Sequence, residues 1–161
     1  MLDKREFAYL VRAVELAEEA LNAGDEPFGS VLVSSEGDVL AEDRNRIAGG
    51  DSTQHPEFAL ARWAAQHMTS EARAQATVYT SGEHCPMCAA AHGWVGLGRI
   101  VYASSSEQLS RWLAELGVAP SPVAALPIQQ IVPKLAVEGP VAELDERVHA
   151  LHQRRHARCL S

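Results

Sequence analysis

Two short stretches hold the residue types that do chemistry: His55-Pro56-Glu57 and Glu83-His84-Cys85-Pro86-Met87-Cys88. A Cys-x-x-Cys that opens a helix puts two sulfurs on its first turn, where unpaired backbone N–H groups favour thiolates. A histidine at the start of another helix completes three ligands of the mixed nitrogen and sulfur kind that zinc prefers. With no obvious fourth protein ligand, the remaining tetrahedral corner is left to water. Held that way, water loses a proton near neutral pH and becomes a nucleophile. Glu57, two residues from His55, is placed to handle protons rather than to ligate.

The same residues admit two other readings. A thioredoxin-like redox pair would use Cys85 and Cys88 alone, yet the tryptophan expected before such a pair is missing and the order of elements differs. A closed structural zinc site needs a fourth ligand, for which His84, His92 and Cys159 are the candidates. His84 adjoins Cys85, and sequence neighbours seldom converge on one tetrahedral ion. His92 falls one turn past Cys88 and reads equally well as a pocket residue or a plain helix histidine. Cys159 reads as a free surface thiol. An open catalytic site is favoured because each motif stands at a predicted helix start.

The elements that position these motifs follow from periodicity. Phe7, Leu10, Val11, Val14, Leu16, Ala17 and Leu21 predict a helix over 3–22, with a stop at Asn22-Ala23-Gly24. Phe28 to Val33 and Val39 to Ala41 predict a hairpin across Ser35-Glu36-Gly37-Asp38. A polar loop over 45–54 delivers the chain to His55, and a helix runs from Glu57 to Met68 with Pro56 in its first turn. A strand over 76–80, a helix from about Pro86 to Val95, a strand over 100–103 and a helix over 106–115 come next. Five prolines make 118–140 a loop-rich segment, with one short edge strand expected around Ile128 to Val132. Val141, Leu144, Val148 and Leu151 mark a C-terminal helix over about 141–156, and Arg154 to Arg158 form a basic run read as a solvated terminus. The expected fold class is α/β, three layers (α/β/α) around a central mixed sheet of five strands.

At 161 residues and 47% apolar composition the chain reads as one domain, 1–161, able to bury a core without disulfides. The formal charge of −7 argues against a partner held by many phosphates, so nucleic acid is not the expected partner. No apolar run reaches membrane-spanning length and no signal peptide is evident, so no membrane association and a cytoplasmic location are expected.

The motifs resemble those of the zinc-dependent nucleobase and nucleoside deaminases of the cytidine deaminase superfamily, whose signature is His or Cys, any residue, Glu, and later Cys-x-x-Cys after a proline. Flanking residues add to the likeness over about 5–115: Pro27-Phe28-Gly29, Asn45, Asp51-Ser52-Thr53-Gln54 ahead of His55, and Tyr79-Thr80-Ser81 ahead of Glu83. The combination looks most like the bacterial guanine deaminase branch and its pyrimidine- or s-triazine-deaminating relatives. Transfer RNA adenosine deaminases share the frame and are the alternative. A non-catalytic zinc-binding structural or interaction protein is a third reading, against which the presence of Glu57 argues.

The resemblance implies zinc on His55, Cys85 and Cys88, with Glu57 as the proton shuttle and the Cys85 amide polarising the ring. It implies substrate contacts from Phe28, Asn45 and Trp94, and a second carboxylate, Glu83, that touches the base or assists proton transfer. The reaction implied is hydrolytic deamination of a free nucleobase or s-triazine (guanine, isoguanine, a cytosine analogue or an ammeline-like ring) with release of ammonia. A homodimer is implied too. In this branch the C-terminal segment often closes over a neighbouring pocket, which would bring Glu143, Asp145 or His149 to a substrate. Departures are Pro56 for the usual alanine, His84 for the usual proline, where it would touch substrate or face solvent, and Ser104-Ser105-Ser106 for an aspartate followed by Gly-Phe. Recognition of guanine itself is therefore not implied.

Overall fold

The computed structural model describes residues 1–159, with side chains as far as Ala157, so the thiol of Cys159 lies outside the described residues. α1 (Lys4–Asn22) begins at Asp3, whose carboxylate accepts the amides of Arg5 and Glu6 while Glu6 bonds back to the Asp3 amide. That reciprocal cap sets its start, and Gly24, at φ +93°, turns the chain away beyond its end. β1 (Gly29–Val33) and β2 (Val39–Arg44) form the expected hairpin, and β2 runs three residues beyond the predicted Ala41. Then come α2 (Pro56–His67), α3 (Ser70–Gln75), β3 (Thr77–Gly82), α4 (Pro86–Val95), β4 (Ile100–Ser104) and α5 (Ser106–Glu115). The chain closes with α6 (Ile128–Ile131), β5 (Val137–Glu138) and α7 (Ala142–Cys159).

The sheet order is β2-β1-β3-β4-β5. β1 is antiparallel to both neighbours, whereas β3, β4 and β5 run parallel, so the sheet is mixed as expected. Alternation along the strands sends Val31, Val33, Tyr79, Val101 and Ala103 into one apolar cluster with α1, α7 and Trp112 of α5. The opposite face carries Leu32 and Val78 against Leu60, Ala61 and Ala64 of α2, and Ile100 and Tyr102 against Ala89 of α4 and Ile128. Three layers result. Gly29 sets how close α1 lies to the sheet, since a Cβ there would fall 2.4 Å from the Ala13 carbonyl oxygen and 2.6 Å from the Ala17 nitrogen.

Several expectations are corrected. Ile128 to Val132 is not an edge strand: Ile128 and Ile131 stand three apart on one helical turn, and the fifth strand is Val137–Glu138 instead. Pro127 leads into that turn and Pro133 follows it, so the prolines bracket a helix rather than a strand. α3 goes unpredicted because none of its residues is buried, leaving no apolar period to read. α7 is docked on its own chain, with Leu144, Val148 and Leu151 in the α1 cluster and Arg154 paired to Glu18 at 2.9 Å, so the basic run starts with a paired residue. Among the described residues no helix is long and apolar enough to cross a membrane.

Candidate metal centre

Both ligand-bearing helices start the same way. His55 is the N-cap of α2 with Pro56 at its first position, and Cys85 is the N-cap of α4 with Pro86 at its first position. A residue before proline is driven out of the helical region, and these two are extended, with ψ of 139° and 166°. The helix begins one residue later, which keeps each ligand at the mouth of its helix and places Cys88 in the first turn of α4.

The donors form a near-equilateral triangle: Cys85 Sγ lies 3.5 Å from Cys88 Sγ and 3.6 Å from His55 Nδ1, and Cys88 Sγ lies 3.5 Å from the same nitrogen. Tetrahedral zinc, with bonds of about 2.3 Å to sulfur and about 2.0–2.1 Å to nitrogen, sets such ligands roughly 3.5–3.8 Å apart. The residues therefore fit the ion. Their proton chemistry fits as well. Hydrogen bonding from Cys88 and His55 pushes the Cys85 thiol down to about 4, while the bond to Cys85 pushes Cys88 up and Cys85 raises His55. Three donors this close compete for protons, and a dication settles the competition by taking both sulfurs as thiolates.

Glu57, in the first turn of α2, is buried against the sheet and accepts a hydrogen bond on Oε1 from Thr80 Oγ1 at 3.0 Å. Burial pushes its carboxyl above the usual carboxylate range, the direction a proton carrier requires. Asn45 is buried at the end of β2, with its side-chain oxygen taken by the Ile47 amide at 3.1 Å. Its amide group is left as a donor. Phe28 lies at the start of β1, where its carbonyl accepts the Asn45 amide at 3.0 Å and its ring meets His152 edge-on at 5.2 Å.

Six other candidate residues sit in varied settings within one chain. Both Glu83 oxygens are taken by backbone amides, Ser106 N at 2.8 Å and Ile128 N at 2.9 Å, so this carboxylate ties the starts of α5 and α6 to β3. His84 does not face solvent: it is 1% exposed, packs edge-on against His92 at 5.3 Å, and both ring nitrogens are closed off without a protein partner. Burial holds it neutral. Trp94 is 91% exposed on α4 and walls no pocket within one chain, because α4 turns Cys88, Ala89 and His92 inward. Glu143 lines a separate cavity with Met1, Leu2, Phe7 and Glu138, while Asp145 is held by Gln108 at 2.9 Å and His149 stacks on Trp112.

Asp25 and Ser30, which the motifs did not flag, and Thr80, noted only as a flanking residue, complete the surroundings. Asp25 is buried, binds Arg44 at 2.9 Å and accepts the Ala48 amide at 2.8 Å, bracing the turn that holds Asn45. Ser30 and Thr80 are fully buried hydroxyls beneath Glu57. Their signal is visible in the sequence as polar residues inside apolar strands.

Comparison with known proteins agrees with this geometry. Residues 3–104 match the family described as the cytidine and deoxycytidylate deaminase zinc-binding region. A probable cytosine deaminase of Schizosaccharomyces pombe is 32% identical over 119 residues, 74% of this chain and 72% of that protein. The guanine deaminase of Bacillus subtilis is 38% identical over 98 residues, 60% of this chain and 62% of that protein. A solved guanine deaminase from Nitrosomonas europaea superposes with a TM-score of 0.73 at 21% identity, covering 98% of this chain and 86% of that one, and so shares the fold.

Proposed function

Because the chain belongs to the cytidine and deoxycytidylate deaminase zinc-binding family and is a zinc-dependent deaminase, we propose that it acts on a free nucleobase or a ring of that size. The amine leaves as ammonia and water supplies the carbonyl oxygen. Guanine, isoguanine, cytosine analogues and amino-s-triazines all present the required exocyclic amine beside a ring nitrogen. The observation that carries the reading is the buried Glu57 carboxylate, on the same helical turn as His55, next to a His55, Cys85, Cys88 triangle that gains no fourth ligand among the described residues.

Zinc, when bound there, supplies a Lewis acid that makes water nucleophilic near neutral pH. Glu57 takes the proton that water releases, then delivers protons to the ring nitrogen and to the departing amine. Its burial favours this cycle, since a desolvated carboxylate holds a proton long enough to pass it on. The Asn45 amide donates to an acceptor on the ring edge, and Phe28 offers an aromatic wall. The relatives named for cytosine and guanine deamination support a small ring, as does the net charge of −7, which opposes a polyanionic substrate.

The apolar outer side of α4, with Met87, Ala90 and the exposed Trp94, is the face proposed for homodimer contact. Light scattering after size exclusion then returns the mass of two 17.4 kDa chains, and a single-chain mass refutes it.

The test of function is ammonia release across guanine, adenine, isoguanine, cytosine, 5-azacytosine and ammeline, their nucleosides and a transfer RNA anticodon stem-loop. A free base or triazine is the preferred substrate, and Glu57→Gln abolishes turnover while retaining zinc. Preference for the stem-loop, or substantial turnover by Glu57→Gln, overturns the proposal.

A further inference from the structure

Two buried hydroxyls form a chain that ends on the Glu57 carboxylate. Ser30 of β1 and Thr80 of β3 are direct cross-strand partners, and both are 0% exposed. They share a sheet face with Leu32 and Val78, which pack against α2 in an apolar cluster, so each hydroxyl sits where an aliphatic side chain is the expected occupant. Ser30 Oγ donates to Thr80 Oγ1 at 2.8 Å. Thr80 has one proton to give and three acceptors in reach: Glu57 Oε1 at 3.0 Å, the Gly82 carbonyl at 3.1 Å and the Gly29 carbonyl at 3.4 Å. The carboxylate oxygen is the nearest and, when ionised, the strongest acceptor. Because Ser30 fills a lone pair of Thr80, it polarises the hydroxyl and directs its proton outward, toward Glu57.

We infer that Ser30 and Thr80 are positioning residues that fix the orientation of the Glu57 carboxylate by holding Oε1, leaving Oε2 to carry the proton. The inference rests on the proposed role of Glu57 as the proton carrier. Neither hydroxyl touches substrate. Their effect is on kcat, because a carboxylate that rotates freely presents its proton-bearing oxygen to the reacting atoms only part of the time.

The experiment compares Thr80→Val, Thr80→Ser, Ser30→Ala and the Ser30→Ala/Thr80→Val double variant, the last leaving no buried hydroxyl unpartnered. Thr80→Val lowers kcat by about 10- to 100-fold, the worth of one hydrogen bond to a charged group, while KM stays within about twofold and zinc remains at one per chain. Thr80→Ser restores most of the rate. Ser30→Ala costs a few-fold alone and nothing further in the Thr80→Val background, as expected if it acts through Thr80.

A second readout needs no turnover and no metal. The infrared carboxyl band assigned to Glu57 by difference against Glu57→Gln shifts in Thr80→Val and returns in Thr80→Ser. If no panel substrate is deaminated, the reading of substrate fails while this band still tests the hydrogen bond. Unchanged kcat in Thr80→Val with an unmoved band overturns the inference, and so does additive loss in the double variant.

Discussion

Replacing Glu83 by glutamine separates a structural post from a proton-transfer role. The carboxylate accepts one amide on each oxygen, Ser106 N at 2.8 Å and Ile128 N at 2.9 Å. Glutamine keeps one acceptor oxygen and turns an NH2 group toward the other amide, donor against donor. One hydrogen bond to a charged group is lost, about 1.5–3 kcal/mol, and for a chain of this length that lowers Tm by roughly 3–12 °C. Urea denaturation of the zinc-loaded protein reads the stability, and ammonia release below the transition reads the activity. The expected result is a lower denaturation midpoint with kcat within a few-fold of the wild type. Full stability combined with a loss of turnover above about a hundredfold would refute the reasoning and make Glu83 a proton carrier.

Other parts of the fold make equally specific claims. Gly29→Ala places a Cβ 2.4–2.6 Å from Ala13 O, Leu16 Cβ and Ala17 N, so α1 must lift from the sheet; a cost of at least about 2–3 kcal/mol is expected in denaturant unfolding, and a neutral substitution would contradict the close approach. Burial pushes His152 down to about 3, so it stays neutral in the fold while the unfolded chain protonates it below about pH 6.5. The unfolded state then binds more protons, and stability falls as pH drops, by up to about 1.4 kcal/mol per pH unit from this group until about pH 3. His152→Leu flattens that slope between pH 6.5 and 4, and an unchanged slope refutes the assignment. Asp25→Ala frees Arg44 and the Ala48 amide and loosens the turn at Asn45, raising KM more than it lowers kcat, at about 2–3 kcal/mol of stability; a pure kcat effect speaks against a role through Asn45.

The ligands and Glu57 are legible in the sequence because local geometry places them. A residue before proline is extended, the helix follows, and three side chains are delivered to helix mouths with little help from distant parts. Strand and helix identities follow from apolar spacing, which is why α1, α4 and β1 appear close to their predicted limits. What depends on contacts far apart in sequence is not legible. That both Glu83 oxygens hold backbone amides is one such case, since one of the amides belongs to Ile128, 45 positions away. Ile128 itself looks like a strand residue until its amide is committed to Glu83 rather than to a neighbouring strand. The exposure of Trp94 is another, because the sequence does not say which side of a helix with a largely apolar surround faces inward. Ser30 and Thr80 pair across the sheet only once register is set.

The two ligand–proline steps at 55–56 and 85–86 bear on how the ion is chosen. Each proline restricts the backbone of the ligand before it, and each helix is anchored by its own buried residues, so little chain entropy remains to be lost when a metal binds. Affinity then reflects the ion's own bond lengths and softness rather than any folding it induces. Softer, tetrahedral ions of zinc's size compete directly for the triangle, whereas larger ions that need more oxygen ligands find two sulfurs and an imidazole nitrogen instead.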